Sequence, residues 1–335
     1  MNDSPEIPPI AGLLRAAVLS LRGAGSDLGD PADADAFLAL LRLLYATGRR
    51  DLPLGRLFEG HVDAVQIMHR YGTPAQLASL GDALDRGAML GVWNAEFQGR
   101  SLSLEAGRLS GGKSYASGAG VLTHALVTAA TPAGPQLLLI DLAGLVPMID
   151  RTWWRTTGMQ RSETHLVSWS DVPVRESDMI GRPGDYAQEP WFSGGALRFV
   201  AVQAGGVATL FDQSRDHLVK LGRADNPHQA ARLAALYAMA QSAADTVRAI
   251  ALRWFDEPDT ARLPRVAAAR LAVADLANQA MSVAREAVGL QGMFLSHPLA
   301  HTLADLPVYL CQPAPDAQRM RVGKAIADGA LEPAL

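Results

Sequence analysis

The stretch GRLSGGKS, residues 107–114, is the part of the sequence most readily connected with a reaction. It fits the pattern G-x-x-x-x-G-K-[ST], in which backbone N–H groups and a lysine bind nucleotide phosphates. Such a loop needs a buried parallel strand before it and a helix after it. Here both flanking stretches, SLSLEA and SYASGAG, alternate as strands do. We therefore predict an antiparallel hairpin with its two-residue turn at Gly111-Gly112 and Lys113 on a strand.

The stretch HPLAH offers a second chemistry, because His297 and His301 have the i, i+4 spacing of helical metal ligands. Pro298 lies between them and the sequence shows no third ligand, so we predict no metal site. Cys311 is the only cysteine, which rules out an intrachain disulfide and fits a reducing compartment. By default such a cysteine is a small buried residue.

The composition favours a packed protein with a large core, since 49% of the 335 residues are hydrophobic and 19% are charged. The net charge is −4 without a Lys/Arg run, which argues against nucleic acid or anionic lipid as partner. The N terminus, MNDSPEIPPI, lacks the pattern of a signal peptide. The longest uncharged stretch, residues 114–140, contains too many glycines and prolines for a membrane helix. We expect a soluble, cytoplasmic protein.

Three regions with different hydrophobic patterns predict an α+β fold. Residues 1–87 read as an N-terminal α-helical domain, with Thr73 as the N-cap of its last helix. Residues 88–184 alternate like the short strands of a middle antiparallel β domain. Residues 185–335 read as a C-terminal four-helix bundle.

The bundle prediction consists of four long helices in series. The first covers residues 196–222, and the second runs from a cap at Asn226 to Trp254. Pro264 is expected to start the third, which ends near Gly289. The fourth is expected to run from about Thr302 to Ala327, although the two prolines of PAPD, residues 313–316, are expected to fix a rigid loop.

Several stretches in this order resemble the acyl-CoA dehydrogenase family, over roughly residues 50–327. The stretch GRLSGGKSYASGAG is similar to a strand pair of the family's middle domain, and GMQRSET is similar to the turn that follows. GVWNAEFQGRS, GRADNPHQAARLA and AREAVGLQGMFLSHPLAHTLADL resemble three further family segments. The resemblance implies the same helix–sheet–bundle architecture.

The resemblance also implies an FAD cofactor and a small-molecule substrate of the acyl-thioester type. In the family the flavin contacts an aromatic and a hydroxyl residue on one face of a strand. It also contacts a threonine in a nearby segment, whose serine belongs to the substrate site. The implied cofactor residues are Tyr115, Ser117, Ala95 (in place of the threonine), Arg223, Gln229 and Gly289, with Gly292 as a further matching glycine, and the implied substrate residue is Ser101.

The family removes the substrate's α-proton with a glutamate at one of two places, and neither holds one here. One place precedes the arginine that opens the first bundle helix, and Leu197 before Arg198 occupies it. The other lies near the C terminus, where the alignment places Gln312 or Pro313. The catalytic base is therefore not identified from the sequence.

Three interpretations of the missing base stay open. Some relatives without the glutamate use reduced flavin and oxygen, and some of these carry a histidine near the flavin, which keeps His301 as a candidate. An unmatched residue could supply the base instead. Alternatively, the chain is a degenerate scaffold or partner subunit. The family pairs through the bundle, so we expect a homodimer or homotetramer with FAD between subunits and Arg223 contributed by the neighbour.

Other residues near the expected flavin have alternatives of their own. Glu96 is a carboxylate close to the expected flavin edge, although we expect it to hold a backbone turn. Trp153 and Trp154 would either cover the cofactor or pack in the β-domain core.

Overall fold

The structure is a computed structural model, and it describes residues 9–26 and 28–333. The first eight residues, on which the interpretation of the N terminus rests, lie outside the described residues. The N-terminal region is helical, as predicted. Its helices are α1 (Ile10–Gly23), α2 (Ala34–Arg50), α3 (Leu52–Tyr71) and α4 (Pro74–Asp85).

Local capping explains where these helices begin. Asp51 ends α2 and starts α3, where its carboxylate accepts a hydrogen bond from the Leu54 N–H at 2.9 Å. The predicted N-cap Thr73 is confirmed: it forms a reciprocal capping box with Gln76 at the start of α4.

The middle region forms, within the described residues, one eight-stranded sheet in the order β6-β7-β3-β2-β4-β5-β8, with β1 paired to β4. Most pairs are antiparallel, as predicted, but β1 runs parallel to β4, and a single parallel bridge joins β2 to β4. The strands are β1 (Leu90–Trp93), β2 (Ser103–Glu105), β3 (Arg108–Ala116), β4 (His124–Thr131), β5 (Gly134–Asp141), β6 (Met148–Asp150), β7 (His165–Pro173) and β8 (Met179–Ile180).

The hairpin prediction for residues 107–114 is right about the strand and wrong about the turn. The turn between β2 and β3 is Ala106-Gly107, and both Gly111 and Gly112 lie inside β3. Gly111 has φ +107°, and a Cβ there would lie 2.1 Å from the Ser101 carbonyl oxygen. The glycines are therefore needed because a neighbouring segment approaches the strand closely, and not because the chain reverses there.

The C-terminal region is a helical bundle, with two corrections to the predicted elements. Pro264 does not start the third long helix but lies inside it, near its N terminus. The predicted last helix is two helices, because Pro313 and the left-handed Ala314 (φ +57°) break it. The helices are α5 (Trp191–Gly194), α6 (Ala196–Lys220), α7 (Pro227–Arg253), α8 (Asp259–Val288), α9 (Pro298–Leu310) and α10 (Pro315–Ala327).

The central helix of the bundle is α6, which crosses α2 at very short range. A Cβ on Gly205 would lie 2.2 Å from the Tyr45 carbonyl oxygen, and one on Gly48 would lie 2.3 Å from the Val202 carbonyl oxygen. The segment Trp191–Lys220 is long and apolar enough to cross a membrane, but 72% of its most apolar window is buried inside the protein. Its composition is therefore that of a core helix.

A contiguous cluster of buried apolar side chains extends from α1 through the sheet to α9. The chain passes from α-helices to strands between Asp85 and Leu90, and from strands back to α-helices between Ile180 and Trp191. The domain boundaries after residues 87 and 184 fall in these two intervals and stay predictions.

Candidate functional site

Tyr115 lies at an irregularity of β3 and presents its ring at the surface. Its φ of +51° is uncommon for an aromatic residue, and its side chain is 57% exposed. The ring meets Trp153 edge-on at 4.9 Å, and Trp154 lies close by at 6.3 Å. Both tryptophans are half-buried in the loop beside Tyr115, and Trp154 also packs against the core, so the aromatic group is partly exposed.

Ser117 does not share a strand face with Tyr115, contrary to the prediction. It follows the end of β3 and is buried, because the irregularity before Ala116 rotates the chain. The Thr164 hydroxyl donates to Ser117 Oγ at 3.0 Å, and Trp93 Nε1 donates to the Ser117 carbonyl at 2.9 Å. Ser117 is thereby fixed at one orientation, with its own hydroxyl proton left to donate.

The turn GMQRSET is clamped between the sheet and two helices. The Met159 N–H donates to the Asp305 carboxylate on α9 at 2.5 Å, and Arg161 Nη1 donates to Asp51 at 2.7 Å. A Cβ on Gly158 would lie 1.9 Å from the Ala304 carbonyl oxygen, so only glycine fits there. Burial raises the pKa of Asp305. Asp305 thus positions a loop next to Ser117.

Ala95, Glu96 and Ser101 lie on an exposed segment beside β3. The Ser114 N–H donates to the Ala95 carbonyl at 3.0 Å, and the Ser114 hydroxyl donates to the Glu96 carbonyl at 2.7 Å. The Glu96 carboxylate accepts from Lys113 Nζ at 2.6 Å, so it is an ion-pair partner and not a free base.

The sequence analysis gave Lys113 a strand but no role, and the structure gives it one. Its side chain is fully buried, and Nζ also donates to the Thr128 hydroxyl at 3.1 Å. It therefore fastens the segment around Ala95 to the sheet. The sequence did contain a signal for this role: Lys113 is a single lysine at an inward-facing position of a stretch that alternates as a strand does.

Arg223, Gln229 and Gly289 come together at the far end of the bundle. A cavity of about 400 Å³ opens there between the end of α6 and the end of α8. Gln229 donates to the Ala287 carbonyl at 3.3 Å, while its Oε1 is buried without a partner. Gly289 ends α8 with φ +70°, and a Cβ there would meet open space. The lining residues are His217, Leu221, Arg223, Val288, Leu290 and Gln291, none of them from the sheet.

Two histidines next to this cavity contact each other. His297 Nε2 lies 3.2 Å from His217 Nδ1, and His297 Nδ1 accepts from the Leu299 N–H at the start of α9. The Nε2 of His297 must then be the donor of the pair. Burial and neighbouring positive charges lower both histidine pKa values. His297 is thus a helix cap, while His301 is exposed on α9 and does not pair with it.

Both family base positions hold groups that cannot take a proton. Leu197 is fully buried. Gln312 donates to the Tyr309 carbonyl at 3.0 Å and lines a cavity of about 70 Å³ together with Arg270, which donates to the Pro313 carbonyl. The neighbouring Cys311 is exposed, so the expectation that it is buried was wrong, because the break between α9 and α10 turns outward there.

The predicted cofactor residues therefore form two groups. Tyr115, Ser117 and Ala95 gather at one edge of the sheet, and Arg223, Gln229 and Gly289 gather at the bundle end. Gly292 lies beside the second group, where a Cβ would come within 2.8 Å of Leu299, so its role is packing. Among residues 9–26 and 28–333 no cluster of three His, Cys, Asp or Glu has the arrangement of a metal site.

Comparison with known proteins gives structural matches but no sequence match. No protein-family model matches the chain, and no curated protein matches it either. The TdsC complex with FMN and indole, from Paenibacillus sp. A11-2, is 18% identical with a TM-score of 0.78, covering 96% of this chain and 95% of that one. Another structure of TdsC is described as a dibenzothiophene monooxygenase.

Of two further similar structures, one is described as a dehydrogenase and the other as an FAD complex. Butyryl-CoA dehydrogenase from Megasphaera elsdenii is 18% identical with a TM-score of 0.76, covering 95% of this chain and 89% of that one. The FAD complex of PigA is 15% identical with a TM-score of 0.77 and the same coverage. The chain thus has the fold of TdsC, butyryl-CoA dehydrogenase and PigA, and the fold implied by the sequence resemblance is confirmed.

Proposed function

We propose that the protein is an FAD-dependent oxidoreductase that acts on an acyl thioester or a related small molecule. The observation that carries this proposal is the cavity at the bundle end. There Arg223 has no carboxylate partner among the described residues, and the buried Oε1 of Gln229 has no hydrogen-bond partner. An unpaired guanidinium at a cavity suits a phosphate, and an orphaned amide oxygen suits a donor of a ligand.

The residues present fit a flavin dinucleotide in two parts. At the sheet edge, Tyr115 and the aromatic group beside it offer an exposed surface for a flat ring, and Ser117 offers a hydroxyl proton. At the bundle end, Arg223 would bind the pyrophosphate, and Gly289 would let the backbone approach it. Ser101 would bind the substrate. TdsC is described with FMN and PigA with FAD. We infer FAD, because the residues at the bundle end would bind a pyrophosphate, and FMN has none.

A bound flavin would supply the capacity to accept or donate two electrons. The chain's own residues would orient the ring and exclude water, but neither family base position can hold a proton. This favours oxygen-dependent chemistry over thioester dehydrogenation, and the description of TdsC as a monooxygenase supports that branch. His301 is exposed on α9 and remains a candidate for a proton carrier in that branch.

The two groups would be joined by oligomerisation into a homodimer or homotetramer. Arg223 would reach the FAD held by the neighbouring subunit. Apolar residues next to the cavity are strongly exposed, including Leu290 at 77%, Phe294 at 58% and Leu295 at 83%. Covering such a patch with a second copy would bury it. We further propose a soluble cytoplasmic protein with domains at 1–87, 88–184 and 185–335, without a nucleic-acid or membrane partner.

The second candidate function is a catalytically degenerate scaffold or partner subunit. The absence of a base at Leu197 and at Gln312/Pro313 favours it, as does Ala95 in place of the family's threonine. It predicts that the protein does not bind flavin.

The test is an absorption spectrum of the purified protein, with release and identification of any cofactor, followed by anaerobic titration with acyl-CoAs. A flavin that stays oxidised under acyl-CoA but reacts with oxygen after chemical reduction is the expected result. Bleaching by an acyl-CoA would mean that another residue supplies the base. A colourless protein that takes up neither FAD nor FMN would overturn the proposal in favour of the scaffold.

A further inference from the structure

Two histidines form a chain of hydrogen bonds that begins at α9 and ends at the cavity of the bundle end. The Leu299 N–H donates to His297 Nδ1 at 3.1 Å, and His297 Nε2 lies 3.2 Å from His217 Nδ1. His297 is the N-cap of α9, whereas His217 is in the last turn of α6 and lines the cavity. The chain therefore connects the start of one helix to the wall of the cavity.

The order of donors and acceptors in this chain fixes the tautomer of both rings. Nδ1 of His297 accepts from a backbone N–H, so the proton of the neutral ring is on Nε2. That proton is donated to Nδ1 of His217, which therefore carries no proton itself. The neutral His217 ring must then have its proton on Nε2.

Nε2 of His217 is left as a donor without a partner. Within residues 9–26 and 28–333, the one hydrogen bond of the His217 side chain is the bond of its Nδ1, and Nε2 is not sealed inside the protein. A hydrogen-bonding ligand in the cavity would therefore find an N–H at His217 and not a lone pair. The proton cannot move to Nδ1 unless the bond to His297 is broken.

The surroundings of the two rings are positively charged. Burial lowers the pKa of His217, and the charges of Arg223 and Lys220 lower it further. Burial also lowers the pKa of His297, together with His217 and Lys220. Both rings are accordingly neutral at pH 7, because an unperturbed histidine has a pKa of about 6.5.

No carboxylate forms an ion pair with either histidine, with Lys220 or with Arg223 in the part of the chain that the structure describes. Glu286, near the end of α8, pairs with Arg232 of α7 at 3.5 Å. The chain between α8 and His297 contains no charged residue, and Asp305 of α9 is bonded to the Met159 N–H. A free N–H beside two cations suits an acceptor with negative charge, such as a phosphate oxygen.

We propose that His217 is a further cofactor-binding residue, whose Nε2–H donates to a phosphate oxygen of the FAD that Arg223 would bind. His297 is then a positioning residue, because it keeps the proton of His217 on Nε2. The inference rests on the proposed function and adds a neutral histidine to the recognition of the pyrophosphate. It also gives a role to the first histidine of the stretch HPLAH, for which we predicted no metal.

The first experiment measures the dissociation constants of FAD and FMN by equilibrium dialysis of the full-length protein. His217→Leu should weaken FAD binding about tenfold, because one hydrogen bond to a charged group is lost, and should change FMN binding by less than about twofold. His217→Gln should keep most of the FAD affinity, since the glutamine amide carries a donor near the position of Nε2. His69→Leu is the matched control, because His69 is exposed on α3.

The second experiment follows the FAD affinity of His297→Asn with pH. Asparagine can keep the cap of α9 by accepting from the Leu299 N–H, but it leaves Nδ1 of His217 free to take up a proton. Relative to the natural protein, the variant should bind FAD several-fold more weakly at pH 8 and regain affinity below about pH 6.5, where a free histidine gains its charge. A purely structural role of His297 would instead lower the affinity equally at every pH.

Several outcomes would overturn the inference and leave the proposed function intact. These are an unchanged FAD affinity in His217→Leu, an equal loss for FAD and FMN, and a ratio between His297→Asn and the natural protein that does not vary with pH. ADP is expected not to bind to the FAD-saturated protein. Binding of ADP that His217→Leu removes would show that the cavity takes a separate nucleotide, which would overturn the inference as well. Failure of the natural protein to bind FAD would overturn the proposed function itself.

Discussion

Lys113 shows how a single side chain can matter more than the motif that contains it. It has no exposed surface, and its charge is matched by Glu96, whose side chain is 57% exposed. The pair is therefore asymmetric: removing the lysine leaves a carboxylate that water can solvate, whereas removing the carboxylate leaves a buried cation. At the residue scale this asymmetry, and the unpaired Arg223, lead to two predictions.

Glu96→Gln is expected to destabilise the protein more than Lys113→Met. We expect a loss of about 2–3 kcal/mol in the free energy of unfolding for Glu96→Gln and about 1 kcal/mol for Lys113→Met. Urea unfolding followed by tryptophan fluorescence measures both. Glu105→Gln is the control, since Glu105 is exposed at the end of β2 and should change stability by less than about 0.5 kcal/mol. The reverse order of the two main variants would show that the charge of Lys113 is not compensated by Glu96.

Arg223→Met is expected to weaken flavin binding about tenfold to a hundredfold, because one charge-assisted hydrogen bond to a phosphate is lost. Equilibrium dialysis with FAD and with FMN measures the effect. Arg215→Met is the control, because Arg215 is on α6, the helix that precedes Arg223, and pairs at the surface with Asp216 at 2.8 Å. An equal loss in both variants would indicate a general effect of charge and not a site at Arg223.

At the scale of elements, α3 is fixed to the sheet by one buried histidine. His61 is fully buried, and its Nδ1 accepts from the Leu90 N–H at the start of β1, at 3.1 Å. The proton must then be on Nε2, which is buried without a partner. Burial lowers the pKa of His61 from 6.5 to about 4.

This lowered pKa predicts acid sensitivity. The folded protein keeps His61 neutral, whereas the unfolded chain takes up a proton as the pH falls below about 6.5. His61 therefore contributes stability that is present above pH 6.5 and is lost as the pH falls toward 4, by up to about 3 kcal/mol. Urea unfolding at several pH values should show this loss in the natural protein.

The variant His61→Asn should flatten that part of the pH profile, because asparagine keeps the acceptor and does not titrate. His69→Asn is the control, since His69 is exposed on the same helix, α3. A pH profile that is unchanged in His61→Asn would assign the acid sensitivity to other groups.

At the scale of the whole molecule, the two groups of cofactor residues need a second copy to act together. The exposed residues Leu290, Phe294 and Leu295 lie next to the cavity that Arg223 lines. A partner that covers them would at the same time enclose the cavity. The proposed cofactor site and the proposed assembly are therefore coupled.

Leu295→Glu is expected to shift the protein from an oligomer toward a monomer and to weaken flavin binding, since a charge would be buried in the interface. Light scattering with size-exclusion chromatography measures the mass, and absorbance measures bound flavin. Val146→Glu is the control, because Val146 is also 70% exposed but lies near β6, on the sheet. An unchanged oligomer in Leu295→Glu would place the interface elsewhere, and a fully active monomer would contradict the shared cofactor site.

The sequence by itself determined the order of the architecture and most of the helix starts. Helical periodicity and caps are local properties, so Thr73 and Asn226 could be assigned to helix starts from a few neighbouring residues, and the structure confirms both. The two empty base positions at Leu197 and Gln312/Pro313 also follow from residue identity alone, because leucine, glutamine and proline cannot accept a proton in any fold.

Only the tertiary structure decided the features that depend on contacts between segments distant in sequence. Gly111-Gly112 fits a turn in sequence, but the Ser101 segment packs against it and makes it strand. A bulge in β3 separated Tyr115 from Ser117, which strand periodicity had placed together. The ion pair of Arg56 and Glu59 on α3 lies close to Tyr309 on α9 across some 250 residues of chain, and no local pattern encodes such a contact. Burial, which lowers the pKa of His61, likewise arises only when these segments pack.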